Sequence, residues 1–401
     1  MPKPPAGDYP IVDFNPFTHV TSAGSNAAWQ ELRNECPAAW TEANGGNWVL
    51  SSYEVVTAAF LDWKTFSSAR TNPDISSLML GDAHMPKLYP EELDPPESKP
   101  MRKVLSRLLS PTAVEALRPR VEHWTNHYLD QIIDAGSGDF ARDLAVPVPS
   151  AITMEWLGWP EDEWIQAAST FYDMARHEYF SPGFMEAGKK FKWLGKRIHE
   201  EVALRRREPR DDVMSVIANA DLDGVPISAE EAEAMVLLTI GGGVDTTTAL
   251  TSAGLIHLGH DRELRTRIID NPALLTSATE EFLRVYPPAR THARTVTRDI
   301  EFAGCPMRAG DRVLLSEVSA CQDESALPDA DQFIPDRKPN RHIAFGIGIH
   351  RCVGLHLARL EFTTMIHGVL KRMPDYVLGE VREYPSWAAI GGWAAIPVTI
   401  R

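Results

Sequence analysis

The chain is poor in cysteine: Cys36, Cys305, Cys321 and Cys352 are the four among 401 residues. None forms a CxxC pair, which argues against a zinc site. There is no iron–sulfur cysteine set and no glycine-rich dinucleotide fingerprint. The first residues, MPKPPAGDYP, contain no apolar core of a secretory signal. The longest uncharged apolar stretch, around Met235 to Val244, is too short and too glycine-rich to span a bilayer. A cytoplasmic protein with reduced thiols is therefore expected. Positive charge is also short. The net charge of −15 argues against nucleic acid or an anionic membrane as partner. No internal repeat or low-complexity segment is present.

What is present suits a large helical enzyme. The hydrophobic fraction of 44% can bury a sizeable core. Short helices are expected at about 26–35 and 53–61, with a small sheet between them. Residues 71–96 carry Pro73, Pro86, Pro90, Pro95 and Pro96 and read as a long functional loop. Helical patterns dominate from about Met101 to Asp270. Ser228-Ala-Glu-Glu231 is a capping box that opens a helix running to about Leu258. Short strands follow between about Val296 and Leu315. A last long helix is expected from Val353 to Arg372, stopped by Pro374.

Three motifs carry chemistry. The first is Phe345-Gly346-Ile-Gly348-Ile-His350-Arg351-Cys352-Val-Gly354. Its glycines permit a tight loop passing close to a flat ligand. Its Cys stands at a helix start, where free N–H groups favour a thiolate. The second is Glu281-Phe-Leu-Arg284, with both charges on one helix face. The third is Gly241-Gly242-Gly243-Val-Asp245-Thr246 inside the long helix. Glycines there cost about 1 kcal/mol each relative to Ala. Close helix packing would explain them; so would room for a ligand beside a locally opened helix.

The first motif resembles the haem-binding signature of cytochromes P-450, which is highly specific. The resemblance spans about Pro16 to Ile400 and is nearest to soluble bacterial members, similar in style to bacterial terpenoid hydroxylases between Ala203 and Thr248. It implies a mainly α fold with a smaller β region, one domain over 1–401, and haem b (iron protoporphyrin IX) between the long helix and the Cys-loop helix. Cys352 becomes the iron ligand. Phe345 packs near the sulfur, and Gly346, Gly348, Gly354 and Gly242 border the haem. His350, Arg102 and Arg294 meet the propionates; Ser98 stands where the family usually has a His. Glu281, Arg284 and Arg337 form a buried structural triad. Thr246 assists oxygen cleavage, and Asp245 relays protons through water. Cys321-Gln322-Asp323 departs from the usual Asn-Arg-Asp, with a local effect expected.

The pocket implied by this likeness is lined by the 72–92 loop, Leu238 to Thr246, Ala289 to Ala293, and the turn from Trp387 to Trp393, with Ile390 in it. Arg290 and His292 are unusual there: each anchors a polar substrate group or faces propionates or solvent. The expected activity is a monooxygenase acting with O2 on a small, mostly apolar molecule. Electrons would come from a separate ferredoxin and ferredoxin reductase, met by Lys99, Lys103, Arg107, Arg341 and Arg351. The alternatives are a peroxygenase or oxidative coupling enzyme, and a non-catalytic haem protein. The flanking glycines nearly exclude a Cys-nucleophile hydrolase.

Overall fold

The computed structural model describes residues 9–17, 22–73, 75–80, 85–178, 181–384 and 390–401. The helices are α1 (Ser22–Glu35), α2 (Tyr53–Leu61), α3 (Ser98–Leu108), α4 (Pro111–Ala135), α5 (Pro147–Leu157), α6 (Trp164–Ala175), α7 (Pro182–Gly188), α8 (Lys190–Arg207), α9 (Val213–Ala218), α10 (Ala229–His260), α11 (Arg262–Asp270), α12 (Leu274–Val285), α13 (Glu317–Ala320) and α14 (Leu355–Arg372). The strands that matter most to the site are β1 (Ala38–Thr41), β2 (Asn47–Leu50) and β3 (Phe66–Ser67) near the N-terminus. Strand β4 (Ser137–Asp139) follows α4, and β5 (Thr291–Val296), β6 (Ile300–Phe302), β7 (Cys305–Met307) and β8 (Arg312–Ser316) follow α12. This is the mainly α fold with a smaller β region that the resemblance implies.

Helix α10 is the axis. Ser228 Oγ accepts from Glu231 N, and the Glu231 carboxylate accepts from Ser228 N, so the capping box forms as written. At 32 residues the helix runs about 48 Å. It is long and apolar enough to cross a membrane, yet most of its apolar stretch is buried inside this fold. Its flanks meet α5, α8 and α14. Gly254 lets α14 approach: a Cβ there would stand 2.8 Å from the Phe362 ring. Phe362 is fully buried, and such a side chain contributes about 1.5–3 kcal/mol.

The main sheet has the order β1-β2-β8-β5-β3, with β2 and β8 parallel and the other pairs antiparallel. Strand alternation puts His292 and Arg294 of β5 on one face. Their partners in register are Leu315 and Val313 of β8. Helix α14 starts at Leu355 rather than Val353, because the Cys loop holds Cys352 and Val353 outside the helix.

Candidate active site

The loop before α14 is folded back on itself. Gly346 N donates to Ile343 O at 2.8 Å, and Cys352 N donates to Phe345 O at 2.8 Å. Gly346 and Gly348 sit at φ 64° and 77°, where an L side chain is strained. A Cβ on Gly348 would also come within 3.2 Å of Phe60 O, so this glycine seats the loop on the end of α2. Phe345 lies under the Arg359 guanidinium, 4.6 Å from the ring centre. Arg359 and His342 hold Glu280. Burial alone would raise that carboxyl, but its hydrogen bonds with Arg359 and His342 bring it to about 2.

Cys352 is exposed to an internal cavity and carries no disulfide. Burial pushes its thiol up, outweighing the Gly354 N–H, Arg102 and Arg359, which all favour the thiolate expected at a helix start. Cys305 and Cys321 are buried free thiols, while Cys36 is half-buried. Cys321 Sγ accepts from Ile343 N, and its carbonyl accepts from Arg284.

A charged rim surrounds one edge of the cavity. Arg102 reaches it from α3 and donates to Arg351 O at 2.7 Å. Arg294 reaches it from β5, stacked 5.3 Å over Phe60. His350 is buried there with neither ring nitrogen hydrogen-bonded among the described residues; Asp94 stands 3.7 Å away. Glu91 faces this rim. Burial would raise its carboxyl, but His292, Arg294 and His350 together hold it low. His292 lies between Glu91, at 3.5 Å, and the fully buried Glu317. Burial opposes the imidazolium, but the two carboxylates raise its pKa to about 10.

Opposite the rim, α10 presents Asp245 and Thr246. The helix is continuous through the three glycines, so the expected local opening does not occur. The glycines also divide. A Cβ on Gly241 would overlap the Phe171 ring, and one on Gly243 would overlap Thr153, whereas Gly242 has open space before it. Only Gly242 leaves room; the other two permit close packing. Thr246 Oγ1 donates to Gly242 O at 2.9 Å. Asp245 Oδ1 is buried without a partner among the described residues. Burial, helped by the charge of Asp173, raises this carboxyl to about 7.

Behind the Cys loop, Glu281, Arg284 and Arg337 come together. Arg284 and Glu281 make a two-pronged pair at 2.8 Å. Arg337 Nε approaches both Glu281 oxygens at 3.1 Å, and Ile334 N and Asn340 Nδ2 also donate to that carboxylate. The arginines then cap carbonyls of the 321–332 segment. Glu281 and Arg284 are fully buried.

All of this encloses a cavity of about 470 Å³. Leu238, Ala289, His292 and Ile390 line it, as do Gly242, Gly346 and Gly354; Gly348 does not. Arg290 is a correction. It turns away from the cavity to Ser25 Oγ and Asn26 Oδ1 of α1, because it precedes β5 and is not held to the strand's alternation. Residues 385–389, including Trp387, lie outside the described residues, and Trp393 does not line the cavity. Ser98 is buried and also outside it.

Sequence reasoning missed Glu91, Glu317 and Glu361. Glu361 is a fully buried acid on α14 that lines the cavity, with both oxygens unpartnered among the described residues. Burial drives its carboxyl well above the usual range, against a smaller pull from Thr247. Its signal was present: a carboxylate next to Leu360 in the apolar stripe of α14.

The residues fit a haem. The cavity offers a thiol at its foot, glycines with no side chain beside it, and an apolar lining. The unpartnered buried ring nitrogens of His350 stand with two arginines at one edge, as two carboxylates require.

Comparisons with known proteins agree. Residues 184–373 match the family model described as Cytochrome P450. The chain is 31% identical over 406 residues to a steroid C26-monooxygenase of Mycolicibacterium smegmatis, covering 97% of this chain and 96% of that one. It is 31% identical over 349 residues to cytochrome P450 130 of Mycobacterium tuberculosis, covering 84% of each. The crystal structure of CYP108D1 from Novosphingobium aromaticivorans superposes with a TM-score of 0.83 at 28% identity, covering 94% of both chains.

Proposed function

Because the chain belongs to the cytochrome P450 family and is a haem-binding monooxygenase of it, we propose that it inserts one oxygen atom of O2 into a small, largely apolar molecule such as a terpenoid or steroid. A separate ferredoxin and ferredoxin reductase would supply the electrons, in the cytoplasm. The observation that carries this reading is one apolar chamber shared by Cys352, Asp245 and Thr246. The chamber draws on residues from Phe60 to Ile390, which supports a single functional unit over the whole chain.

Bound haem supplies the redox chemistry: with two electrons and two protons, one atom of dioxygen enters the substrate and the other leaves as water. Everything else falls to side chains. Cys352 would hold the iron as thiolate; His350, Arg102 and Arg294 would hold the carboxylate edge. Thr246 has its hydroxyl proton committed to Gly242 O, so its oxygen lone pairs are free to accept. Asp245 titrates near neutrality and so carries a proton part of the time, as a relay needs. Phe171, Met174, Phe184 and Phe191, with Leu238 and Leu88, give substrate an apolar and largely aromatic wall that excludes water. The glutamates at the rim are engaged by cations, so they add little free charge to the substrate side. Glu281, Arg284 and Arg337 keep the Cys loop in place.

Arg102 ties α3 to the Cys loop, which groups the exposed Lys99, Lys103 and Arg107 with Arg351. On a chain of net charge −15 that local excess of positive charge suits an acidic ferredoxin. An intact Asp245–Thr246 pair favours dioxygen over peroxide as oxidant, since peroxide users need no such relay.

The test is the carbon-monoxide difference spectrum of the dithionite-reduced protein. The long-wavelength Soret band of thiolate-ligated haem is expected. A band at the position of a neutral ligand in a fully folded preparation would remove the assignment of Cys352. Substrate class is then read from spin-state shifts across a terpenoid and steroid panel.

A further inference from the structure

Among the described residues, the roof of the cavity is a stretch without a helix or a named strand, and something must fix its shape. Residues 75–80 and 85–92 contribute Leu78, Met79, Met85, Leu88, Pro90 and Glu91 to the lining. The first limb is tied to the sheet. Ala293 N donates to Leu78 O at 3.0 Å, and Arg312 donates to Ser77 O and Met79 O at 2.7 and 2.6 Å. The second limb has no backbone bond to the sheet among the described residues; it reaches β5 through the Glu91–His292 pair and α10 through Lys87–Glu230. It is held to the first by two side chains.

Those side chains are Arg70 and Glu92. The Glu92 carboxylate is fully buried. From the first limb it accepts Ser76 Oγ at 2.9 Å and Ser77 N at 3.0 Å. From the second it accepts Leu88 N at 2.9 Å. Arg70 closes on it at 2.6–2.7 Å and donates onward to Pro73 O, Met85 O and Pro86 O. The preceding residue, Glu91, points the other way, into the cavity toward His292. One carboxylate therefore sets the spacing of the two limbs, and the position of the lining residues follows from it.

We propose that the buried Arg70–Glu92 pair is the positioning element that sets which bulky ligands the cavity accepts, by holding the two limbs of its roof in register. This rests on the reading of the cavity as a haem and substrate chamber. A carboxylate serving both limbs cannot be replaced by an amide. Gln has one acceptor oxygen, and its NH2 would face Arg70 and Leu88 N as a donor against donors. A buried arginine left without its partner would pull water or solvent ions into the roof. Neither residue touches the haem region, so a ligand that needs only the iron does not sense the change.

The experiment is a spectral titration of the haem-loaded enzyme and its Glu92→Gln variant with two azoles. Imidazole is small and needs only the iron; clotrimazole is bulky and apolar and must also fit under the roof. Clotrimazole is expected to bind about tenfold more weakly to the variant, a change of roughly 1.4 kcal/mol, with imidazole affinity and the carbon-monoxide spectrum unchanged. Arg70→Lys, which keeps the charge but cannot span the three carbonyls, is expected to behave likewise and serves if Glu92→Gln takes up no haem. The double variant should cost no more than the worse single one, since the two residues act as a unit. Unchanged clotrimazole binding, or equal weakening of both azoles, overturns the proposal. Loss of the thiolate spectrum in the unmutated protein would instead overturn the reading of the cavity itself.

Discussion

The Thr246 hydroxyl donates to the carbonyl of Gly242, one turn back on α10, at 2.9 Å. That bond spends the threonine's proton on the helix and leaves its oxygen as an acceptor toward the cavity. It also marks Gly242 as the one glycine of three with open space before it.

The three glycines should therefore respond differently to alanine. Gly242→Ala gains up to about 1 kcal/mol of helix propensity and meets nothing. Gly241→Ala and Gly243→Ala run into Phe171 and Thr153 and should lower the unfolding free energy by about 1–3 kcal/mol. Urea unfolding of the three variants measures this. A uniform response would contradict this packing.

Thr246→Ala should retain haem and the thiolate spectrum but lose coupling between electrons and product. Hydrogen peroxide per NADPH oxidised should rise several-fold, and Thr246→Ser should restore most of the coupling. Equal product yield per electron in the alanine variant would remove Thr246 from its role.

Asp245 gives a pH dependence with a defined sign. Its carboxyl is raised from 3.8 to about 7 in the folded protein, because burial disfavours the charged form and Asp173 adds like charge. The folded state thus binds this proton more tightly than the unfolded chain. The associated stability is full below about pH 4 and is lost as pH rises toward 7. Asp245→Asn should match the parent near pH 4 and exceed it at pH 8. The gain should be no more than a few kcal/mol, since each tenfold change in proton affinity is worth about 1.4 kcal/mol and water in the cavity reduces it. Chemical denaturation at the two pH values tests it, and product formation by the same variant should fall sharply at pH 7.

Glu281→Gln should be the most damaging single change outside the cavity. It leaves Arg284 buried with half a partner and releases Arg337, Asn340 and Ile334 N together. A loss of about 3–5 kcal/mol is expected, seen as a lower melting temperature and poor haem retention. A variant that kept both would mean the network is dispensable.

The two ends of this protein's chemistry were legible to different degrees. The Cys loop reads directly because its glycines, His350 and Cys352 act within ten residues of one another, and local geometry is what sequence spacing encodes. The capping box of α10 reads for the same reason. The rim does not. Glu91, His292 and Glu317 meet across more than 200 residues, so no window of sequence contains their pairing. Arg290 and His292 look alike as cations near a strand start, yet Arg290 lies just outside β5 and turns to α1, while His292 lies within β5 and enters the cavity.

By itself, the sequence determined the helical character, the capped central helix, the cysteine that ends the glycine loop, and the acid–hydroxyl pair on α10. Each depends on neighbours along the chain. The tertiary structure decided which of three identical glycines leaves room, and which charges neutralise one another at the rim. It also decided that an arginine and a glutamate at the ends of a proline-rich loop close on each other to form its roof. Those outcomes depend on what packs against a residue from elsewhere in the chain. Those neighbours then set the energies: cations hold Glu91 low against its burial, while burial and the like charge of Asp173 raise Asp245 to about 7.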